Sequence, residues 1–483
     1  MIRTNISLAL AVVLLAGCTL EPDYQRPAPA APASWPSGPA YRQVALTPSN
    51  TEAVADIGWD QFFVDPHLRR LIDLGLANNR DLRVAILNIE KTEAQYRIQR
   101  ADQLPTIDLQ GGANIQHTPR RAAEVDGFSA GAFTTKQYSL EAGITSYELD
   151  LFGRVRSLKD QALEQYLATE EARRATQISL VSEIATAYLT MASDQERLKL
   201  AQDTLTSQQQ SYELTARSFD VGSASALDLR QAETSVDTAR VDIARFTALV
   251  AQDENALALL VGAAVPPDLL PAGPVATVTA LQDIPAGVPS EVLLRRPDIL
   301  EAEHQLKAAN ANIGAARAAF FPQITLTASA GSVSNALSTM FKAGTGGWAF
   351  APDIVLPIFD FDRNQGNLDA AKADRSIAVA QYDKSIQTAF REVADALADY
   401  GTVDNQLSAQ QSLVEATSDS YRLSDARYRK GIENYLNVLD SQRSLYSAQQ
   451  DLISVRFTKQ ANLVTLYRVL GGGWLKSTEK SAG

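Results

Sequence analysis

The fold of this chain is decided by one segment, YRKGIENYLNVLDSQR, which occupies residues 428–443. It lies within a long stretch, 358–483, that contains no proline. A similar segment, FDVGSASALDLRQAE, occupies residues 219–233, and Gly431 follows Gly222 at an offset of 209 positions. Since proline breaks helices and glycine commonly ends them, each half of the chain is predicted to be a long helical hairpin that turns at Gly222 or at Gly431.

The hairpins are part of a larger internal duplication. The same offset of 209 relates three further pairs, namely Arg154 and Arg363, Glu183 and Glu392, and Gly262 and Gly471. Earlier in each half the offset is 217, as it is for Pro105 and Pro322. We therefore divide the chain into a first structural repeat at 59–265, a proline-containing linker at 266–290 and a second structural repeat at 291–471.

The helices predicted in each repeat are unusually long. Residues 154–265 contain no proline, and their only glycines are Gly222 and Gly262. At about 1.5 Å per residue, the helix before Gly222 would be roughly 100 Å long, and it needs neighbouring helices along its length to cover its apolar stripe. A shorter helix is expected to precede the strands, over residues 68–103, and to end before Pro105.

Four segments alternate between apolar and polar residues, which predicts four strands, each with one apolar face. They begin near Ile107, Tyr138, Ile324 and Trp348. Four strands are too few to close a barrel, for which about eight are needed, and an open sheet cannot leave its edges unpaired in lipid. If the apolar faces meet lipid, several chains must pool their strands. The alternative is a soluble sandwich packed on the helices.

Composition excludes several classes of function. The net charge of −12 argues against nucleic acid as a partner, and the slightly negative mean hydropathy argues against a bundle of membrane-spanning helices. The three histidines, His67, His117 and His304, are far apart in sequence, and none has a second ligand at metal spacing. No catalytic motif is visible. We therefore expect that the protein binds no metal and no cofactor and that it is not an enzyme.

The N-terminus carries an export signal. Arg3 precedes an apolar run at 6–15, which predicts a signal peptide at residues 1–17. The sequence Leu-Ala-Gly-Cys ending at Cys18 resembles a bacterial lipobox, which implies acylation of Cys18 and attachment to the outer membrane. Residues 18–58, which are rich in proline, are predicted to form a lipid-anchored extended arm, and residues 472–483 a flexible tail.

Together, four features resemble the TolC family, and most closely its OprM-like lipoprotein branch. They are the lipobox, the duplicated unit, the segment RYRKGIENYLNVLDSQR at 427–443, and the ending LGGGW at 470–474. The resemblance implies a mainly α fold with a small β part, assembled as a homotrimer. Long helical hairpins would form a trimeric α-barrel, and four strands per chain would form a 12-stranded transmembrane β-barrel in outer-membrane lipid. The implied partners are a periplasmic adaptor protein and an inner-membrane transporter of the resistance-nodulation-division (RND) class.

The resemblance also carries over a periplasmic gate. Leu436 and Asp440 match positions that form a hydrophobic ring and an acidic ring at the closed tip, and Arg443 matches a basic residue nearby. Asp228 and Tyr428 match residues that take part in closing contacts. Together, these matches imply a gate that closes the periplasmic tip. The chain departs from the TolC pattern at residue 437, where Asn replaces a second acidic residue, so the acidic ring would carry fewer charges.

The spacing of Leu436, Asp440 and Arg443 can be interpreted from helix geometry alone, without the family resemblance. Leu436, Asp440 and Arg443 lie at positions i, i+4 and i+7, so that one helix face presents all three. The simpler interpretation is an ion pair between Asp440 and Arg443 on a solvated helix face, worth less than about 1 kcal/mol.

The implied function is that of a passive exit duct for drugs and small toxic compounds, in a tripartite RND-type multidrug efflux pump. The alternatives are an exit duct for type I polypeptide secretion, a heavy-metal efflux system and a periplasmic spacer that conducts nothing. The few methionines, Met1, Met191 and Met340, offer no visible relay for metal ions.

Overall fold

A computed structural model describes residues 19–41, 54–119, 124–125, 128–129, 131–275, 278–279 and 293–477. The predicted signal peptide and the predicted acylation site Cys18 lie outside the described residues. The chain divides into two compact units, each of which draws on both halves of the sequence. Unit 1 comprises Met1–Pro27, Ile89–Ala168 and Ala302–Gln381, and unit 2 comprises Ala28–Asn88, Thr169–Glu301 and Tyr382–Gly483.

The helices of the described residues are α1 (Trp59–Phe62), α2 (Pro66–Asn78), α3 (Arg80–Ala101), α4 (Arg154–Asp220), α5 (Ala226–Val261), α6 (Pro297–Ala318), α7 (Arg363–Arg429) and α8 (Tyr435–Val469). The two longest, α4 and α7, contain 67 residues each, and α7 starts 209 positions after α4. The predicted duplication of long helical hairpins is therefore present. None of the described helices combines the length and the apolar content that crossing a bilayer would require.

The helix predicted over residues 68–103 is wrong in one respect, because it is broken at Asn79 into α2 and α3. The Asn79 side chain accepts a hydrogen bond from Leu82 N at 2.8 Å and donates one to Leu260 O at 2.8 Å. A side chain that caps the start of a helix competes with continuation of the preceding helix, and periodicity alone does not reveal that competition.

Unit 1 contains one antiparallel four-stranded sheet in the order β1-β4-β5-β6. The strands of the described residues are β1 (Ile107–Thr118), β2 (Glu124–Val125), β3 (Phe128–Ser129), β4 (Phe133–Glu148), β5 (Gln323–Ser334) and β6 (Gly346–Val355). The two predicted hairpins, β1–β4 and β5–β6, pair in matching registers, with Ile107 opposite Ile144 and Ile324 opposite Ile354. The minor strands β2 and β3 pair only with each other.

Both faces of this sheet are open within unit 1. On the apolar face, exposure reaches 81% for Trp348 and 74% for Ile107. The opposite face is polar, and there Ser329 Oγ donates to a Glu141 carboxylate oxygen at 3.0 Å. Because residues of the apolar face remain exposed, unit 1 does not form the soluble sandwich considered above.

A β-bulge lies near the end of β4. Ile144 is opposite Ala328 and Tyr147 is opposite Leu326, so that three steps along β4 match two along β5. Within the bulge, Ser146 adopts a positive φ of 56°. The extra residue keeps Tyr147 on the same face as Ile144, which a regular strand would not do. Tyr147 Oη then donates to Gln103 O at 3.1 Å.

The main hydrophobic core lies in unit 2, where α1 and α2 pack against the long helices. Phe62 stacks on Tyr467 with ring centroids 3.8 Å apart. Tyr467 Oη, although the ring is buried, donates to Ile57 O at 2.6 Å. Each fully buried large apolar side chain contributes about 1.5–3 kcal/mol, and burial here fixes the ends of α5 and α8.

The predicted flexible tail at 472–483 requires a correction. As far as Ser477, the last described residue, it is held by unit 2. Ser477 N donates to Asp60 Oδ1 at 2.9 Å, and Lys476 Nζ lies 2.6 Å from Asp73 Oδ1. Trp474 lies under the guanidinium of Arg174 at 5.1 Å. The tail residues after Ser477 lie outside the described part of the chain.

Residues 19–26 of the predicted arm pack on α6 within unit 1. Arg26 makes a two-pronged ion pair with Glu303, at 3.0 Å from Nε to Oε1 and 2.7 Å from Nη2 to Oε2. The Glu303 side chain is only 3% exposed. Asn310 Nδ2 donates to Pro22 O at 2.7 Å, and Arg317 Nη1 donates to Leu20 O at 3.1 Å. The arm is thus fastened directly after the predicted acylation site.

Candidate functional site at the hairpin tips

The two predicted helix turns have the same backbone structure. Gly222 and Gly431 have positive φ angles of 76° and 68°. At the first tip, Gly222 N donates to Phe219 O at 2.9 Å, and Ser223 N donates to Ser218 O at 2.8 Å. At the second tip, the corresponding bonds join Gly431 N to Tyr428 O and Ile432 N to Arg427 O. This double hydrogen bond ends a helix with a left-handed residue, for which glycine is suited.

The helices that follow the turns are capped differently. Ser225 and Asp228 form a reciprocal capping box at the start of α5, where Ser225 N donates to Asp228 Oδ2 at 3.0 Å. In the second repeat, Asn434 caps α8 by accepting from Asn437 N at 3.2 Å. Asn437 Nδ2 donates instead to Glu433 Oε1 at 3.0 Å. Within one chain, the Asp228 side chain therefore forms part of the cap of α5. A role for Asp228 in the closing contacts of the gate stays a prediction.

A small apolar core holds the tips of the hairpins together in unit 2. Its buried members are Ala232, Tyr435, Val438 and Leu439, and Tyr212, Tyr421 and Tyr428 pack against them. The rings of Tyr428 and Tyr435 are 5.3 Å apart. Burial, followed by the neighbouring Tyr428, raises the pKa of Tyr435 to about 12, so its hydroxyl stays protonated at neutral pH.

The sequence points to Tyr428, and the sevenfold rows that begin at Val438 and Leu439 predict a seam that faces a neighbouring helix. Sequence reasoning missed Tyr435, although its spacing to Val438 and Leu439 at i, i+3 and i+4 is the signal that could have revealed it. The core anchors the first turn of α8 and thereby fixes which residues of α8 remain outside.

The three predicted gate residues of α8 all lie on its exposed face. Leu436 is 50% exposed, and the side chains of Asp440 and Arg443 are exposed as well. Among the described residues, the Asp440 carboxylate forms no side-chain hydrogen bond or ion pair, and it is not bridged to Arg443. The simpler interpretation, an ion pair on a solvated face, is therefore not what the chain adopts.

Other charges near the tip are paired locally. Arg427 Nε lies 3.2 Å from Glu433 Oε2, and Arg429 Nε lies 2.9 Å from Asp425 Oδ2. Arg230 pairs with Glu233 at 2.6 Å at the other tip. Asp440 thus differs from Asp425, Glu233 and Glu433, whose carboxylates are each paired with an arginine. In the described part of the chain, no cluster of three or more histidine, cysteine or acidic residues could hold a metal ion.

Comparisons with known proteins agree with this architecture. A family model described as outer membrane efflux protein matches residues 71–263 and 288–472. The chain is 51% identical over 479 residues to the antibiotic efflux pump outer membrane protein ArpC of Pseudomonas putida, a match that covers 99% of this chain and 97% of that protein. The toluene efflux pump outer membrane protein TtgC of Pseudomonas putida matches with the same identity and coverage.

A solved structure is similar over nearly the whole chain. The open state of the Neisseria gonorrhoeae MtrE outer membrane channel superposes with a TM-score of 0.85 at 38% identity, covering 95% of this chain and 100% of that one. The fold class predicted from the sequence, long duplicated helical hairpins with four strands per chain, is therefore confirmed.

Proposed function

Because the chain belongs to the outer membrane efflux protein family, we propose that it is the exit duct of a tripartite efflux pump. The protein is an efflux channel of the outer membrane. We further propose how the chain assembles, which proteins it binds, where its gate lies and which compounds it exports. The observation that carries it is the sheet of unit 1, which exposes an apolar face and ends at two edges.

The proposed assembly is a homotrimer. A sheet of four strands cannot close on itself, and an exposed apolar face such as that of Trp348 and Ile107 needs lipid or another protein surface. Three copies would contribute twelve strands to one barrel and would bring their helical hairpins together around a shared water path. The acylated Cys18 would add a lipid anchor to each copy.

The proposed gate is the exposed face of α8 at the second tip. Three copies of Leu436 would form an apolar constriction that excludes water, and three copies of Asp440 would form a ring of negative charge that favours cations. Arg443 would lie close to that ring, one turn further along α8. Opening would separate neighbouring hairpins by rearranging packing contacts, without any chemical step.

The proposed duct performs no catalysis of its own. An inner-membrane RND transporter would supply the energy, and a periplasmic adaptor protein would connect the transporter to the tips. The relatives named for antibiotic efflux and for toluene efflux support a cargo of small, toxic and largely apolar compounds. Export of polypeptides and export of heavy metals are the competing proposals.

The test is deletion of the gene in its host, with complementation by the wild-type chain. We expect the deletion strain to become several-fold more susceptible to toluene and to apolar antibiotics, and complementation to restore tolerance. Unchanged susceptibility to both, together with loss of a secreted polypeptide or of metal tolerance, would contradict the drug-efflux proposal in favour of one of its competitors.

A further inference from the structure

Charged side chains are sorted between the two faces of the sheet of unit 1. In strands β1, β4, β5 and β6 the acids alternate with the apolar residues, so they lie on the polar face. These acids are Asp108, Glu141, Glu148 and Asp353. The one lysine of these four strands, Lys136, lies instead on the apolar face, opposite Ile115. Within these strands the apolar face therefore carries a cation and no acid.

A second polar group lies beside Lys136 on the same face. His117 is opposite Thr134, two residues before Lys136, which makes His117 and Lys136 diagonal neighbours at about 7–8 Å. His117 Nδ1 lies 2.9 Å from Thr134 Oγ1, so Nε2 is the ring nitrogen available to a ligand. The side chains of His117, Thr134 and Lys136 are all exposed. We call these three residues the outer basic patch.

The charge of this patch is not neutralised within the described chain. Among the described residues, Lys136 forms neither a salt bridge nor a side-chain hydrogen bond. The opposite end of the sheet differs, because Arg154 Nε lies 2.8 Å from Glu148 Oε1 there and Arg156 Nε lies 3.2 Å from Asp150 Oδ2. The outer basic patch is therefore left to pair with an anion from outside the chain.

The connections of the strands indicate which way the patch faces. Helices α3 and α4 adjoin the end of the sheet that holds Ile107 and Glu148. The outer basic patch lies at the other end, near Thr118 and Phe133, where β1 stops and β4 begins. In the proposed channel the long helices extend into the periplasm. The patch then faces the outer leaflet of the outer membrane.

The length of the apolar face places the patch at a boundary of the membrane. From Ile107 to Ile115 the strand makes eight steps. These cover about 27 Å along the strand, and about 20 Å along the membrane normal at a tilt of about 35–45°. The apolar band of outer-membrane barrels is about 25 Å tall. Lys136, opposite Ile115, therefore lies where acyl chains end and headgroups begin.

We propose that the outer basic patch binds the phosphate groups of the outer-leaflet glycolipid, the lipid A part of lipopolysaccharide. A lysine at such a boundary lays its apolar stem along the hydrocarbon and extends its ammonium to the headgroups. The ammonium provides three donors for phosphate oxygens, and Thr134 and His117 Nε2 add polar contacts. The inference rests on the proposed function, because it requires that the apolar face meets the membrane.

Charge complementarity favours this ligand over others. An acidic segment of another protein would have to enter the headgroup layer to reach Lys136, whereas a phosphate attached to a lipid is already at that depth. Lys342 lies in the connection between β5 and β6 at the same end of the sheet, and it is exposed without an ion pair among the described residues. It gives the outer end of the sheet a further cation.

The experiment measures lipid binding by the purified full-length channel in mild detergent. The probes are phosphorylated lipid A, the same lipid A after removal of its phosphates, and phosphatidylglycerol, each titrated while native mass spectrometry counts the bound lipid. We expect phosphorylated lipid A to bind in preference to the other two. Lys136→Gln should weaken its binding about fivefold, the change expected for one lysine at an anionic membrane surface. Lys136→Arg, which keeps the charge, should bind nearly as the wild type does.

The matched control is Lys384→Gln, which removes an exposed lysine of α7 that likewise forms no ion pair among the described residues. It should bind phosphorylated lipid A as the wild type does. His117→Ala is a second variant should Lys136→Gln fold poorly, and it should also weaken binding.

Three results would overturn the proposal. They are equal binding of lipid A without phosphates, equal or tighter binding of phosphatidylglycerol, and a loss in Lys136→Gln no larger than in Lys384→Gln. A wild-type chain that stays folded and soluble without detergent and binds none of the three lipids would instead overturn the proposed function itself.

Discussion

Asp440 and Arg443 lie three residues apart on the same exposed face of α8, yet no salt bridge joins them among the described residues. An acid and an arginine at the same spacing on α5, Asp237 and Arg240, do form a salt bridge at 3.0 Å. Helical spacing therefore permits the bridge in this chain, and its absence at the tip leaves both side chains available to neighbouring copies.

The first prediction concerns the gate. The double substitution Leu436→Ala/Asp440→Ala should raise the resting conductance of the reconstituted channel several-fold, because it removes both the apolar constriction and the acidic ring. Single-channel recording in planar bilayers measures this directly. The control is Asp237→Ala, which removes another exposed acid, outside the tip, and should leave conductance unchanged. Equal conductance of the double variant and the wild type would count against the gate assignment.

The second prediction concerns the turn. Gly431→Ala should destabilise the folded chain by about 1–2 kcal/mol, since a side chain is disfavoured in the left-handed conformation. A Cβ atom at Gly431 would meet no atom within 4 Å, so the effect would be conformational and not steric. The midpoint of thermal unfolding measures it, and Gly222→Ala should behave alike.

Gly366 provides the control for the turn. It lies inside α7 and lacks a positive φ, and a Cβ atom added to it would likewise meet no atom within 4 Å. Gly366→Ala should therefore stabilise the chain by about 0.5–1 kcal/mol. Destabilisation by Gly366→Ala as large as that by Gly431→Ala would contradict the argument from backbone conformation.

The tips could be predicted from the sequence because their signals are local. Gly222 and Gly431 end helices through contacts with residues three to five positions away, and the repeat shows the same pattern twice. The four strands followed from simple alternation. The break at Asn79 was missed because its side chain bonds to Leu260, and no periodicity within α2 and α3 reports on so distant a partner.

Polar contacts between residues that are far apart in sequence could not be predicted for the same reason. Arg26 and Glu303 are 277 positions apart, and neither has a neighbour that predicts the pairing. The bulge at Ser146 was missed because one inserted residue only shifts an alternating pattern. Its presence is visible only in the register with β5.

The third prediction concerns the fastening of the arm. Burial alone would raise the pKa of Glu303, but hydrogen bonds from Arg26 and the charge of Lys307 lower it below its ordinary value of 4.5. The stabilisation by this carboxylate is therefore complete above about pH 4.5 and is lost as the pH falls through the lower pKa of the folded chain. Hydrogen exchange in residues 19–26 should increase in that acidic range.

The variant Arg26→Gln should loosen the arm already at neutral pH, by about 1.5–3 kcal/mol, which is typical for a charged hydrogen bond with a buried partner. The control is Arg97→Gln, which removes an exposed pair with Glu93 and should cost less than about 1 kcal/mol. Unchanged hydrogen exchange of the arm in Arg26→Gln would show that this ion pair does not fasten it.

The fourth prediction concerns Asp253, which lies in a cleft of unit 2 with Glu183 and Arg468. Burial, followed by the charge of Asp194, raises the pKa of Asp253 to about 6. Ionised Asp253 thus destabilises the folded chain. This destabilisation is fully present above about pH 6 and disappears as the pH falls toward 3.8. Asp253→Asn should raise the thermal midpoint at pH 7.5 but not at pH 4.

The size of this gain should be about 1 kcal/mol or less, because the carboxylate is partly exposed and therefore screened. The second repeat already has an amide at the corresponding position, Asn462, which lies 209 residues later. Asn462→Asp should accordingly destabilise the chain at pH 7.5. A variant Asp253→Asn with the same pH dependence as the wild type would contradict the assignment.

The proposed channel requires that identical chains share strands, and the mass of the native particle tests this requirement most directly. Native mass spectrometry of the protein extracted from outer membranes in mild detergent should give three copies of the chain. A monomer that remains soluble and folded without detergent, although Trp348 and Ile107 stay exposed, would contradict it.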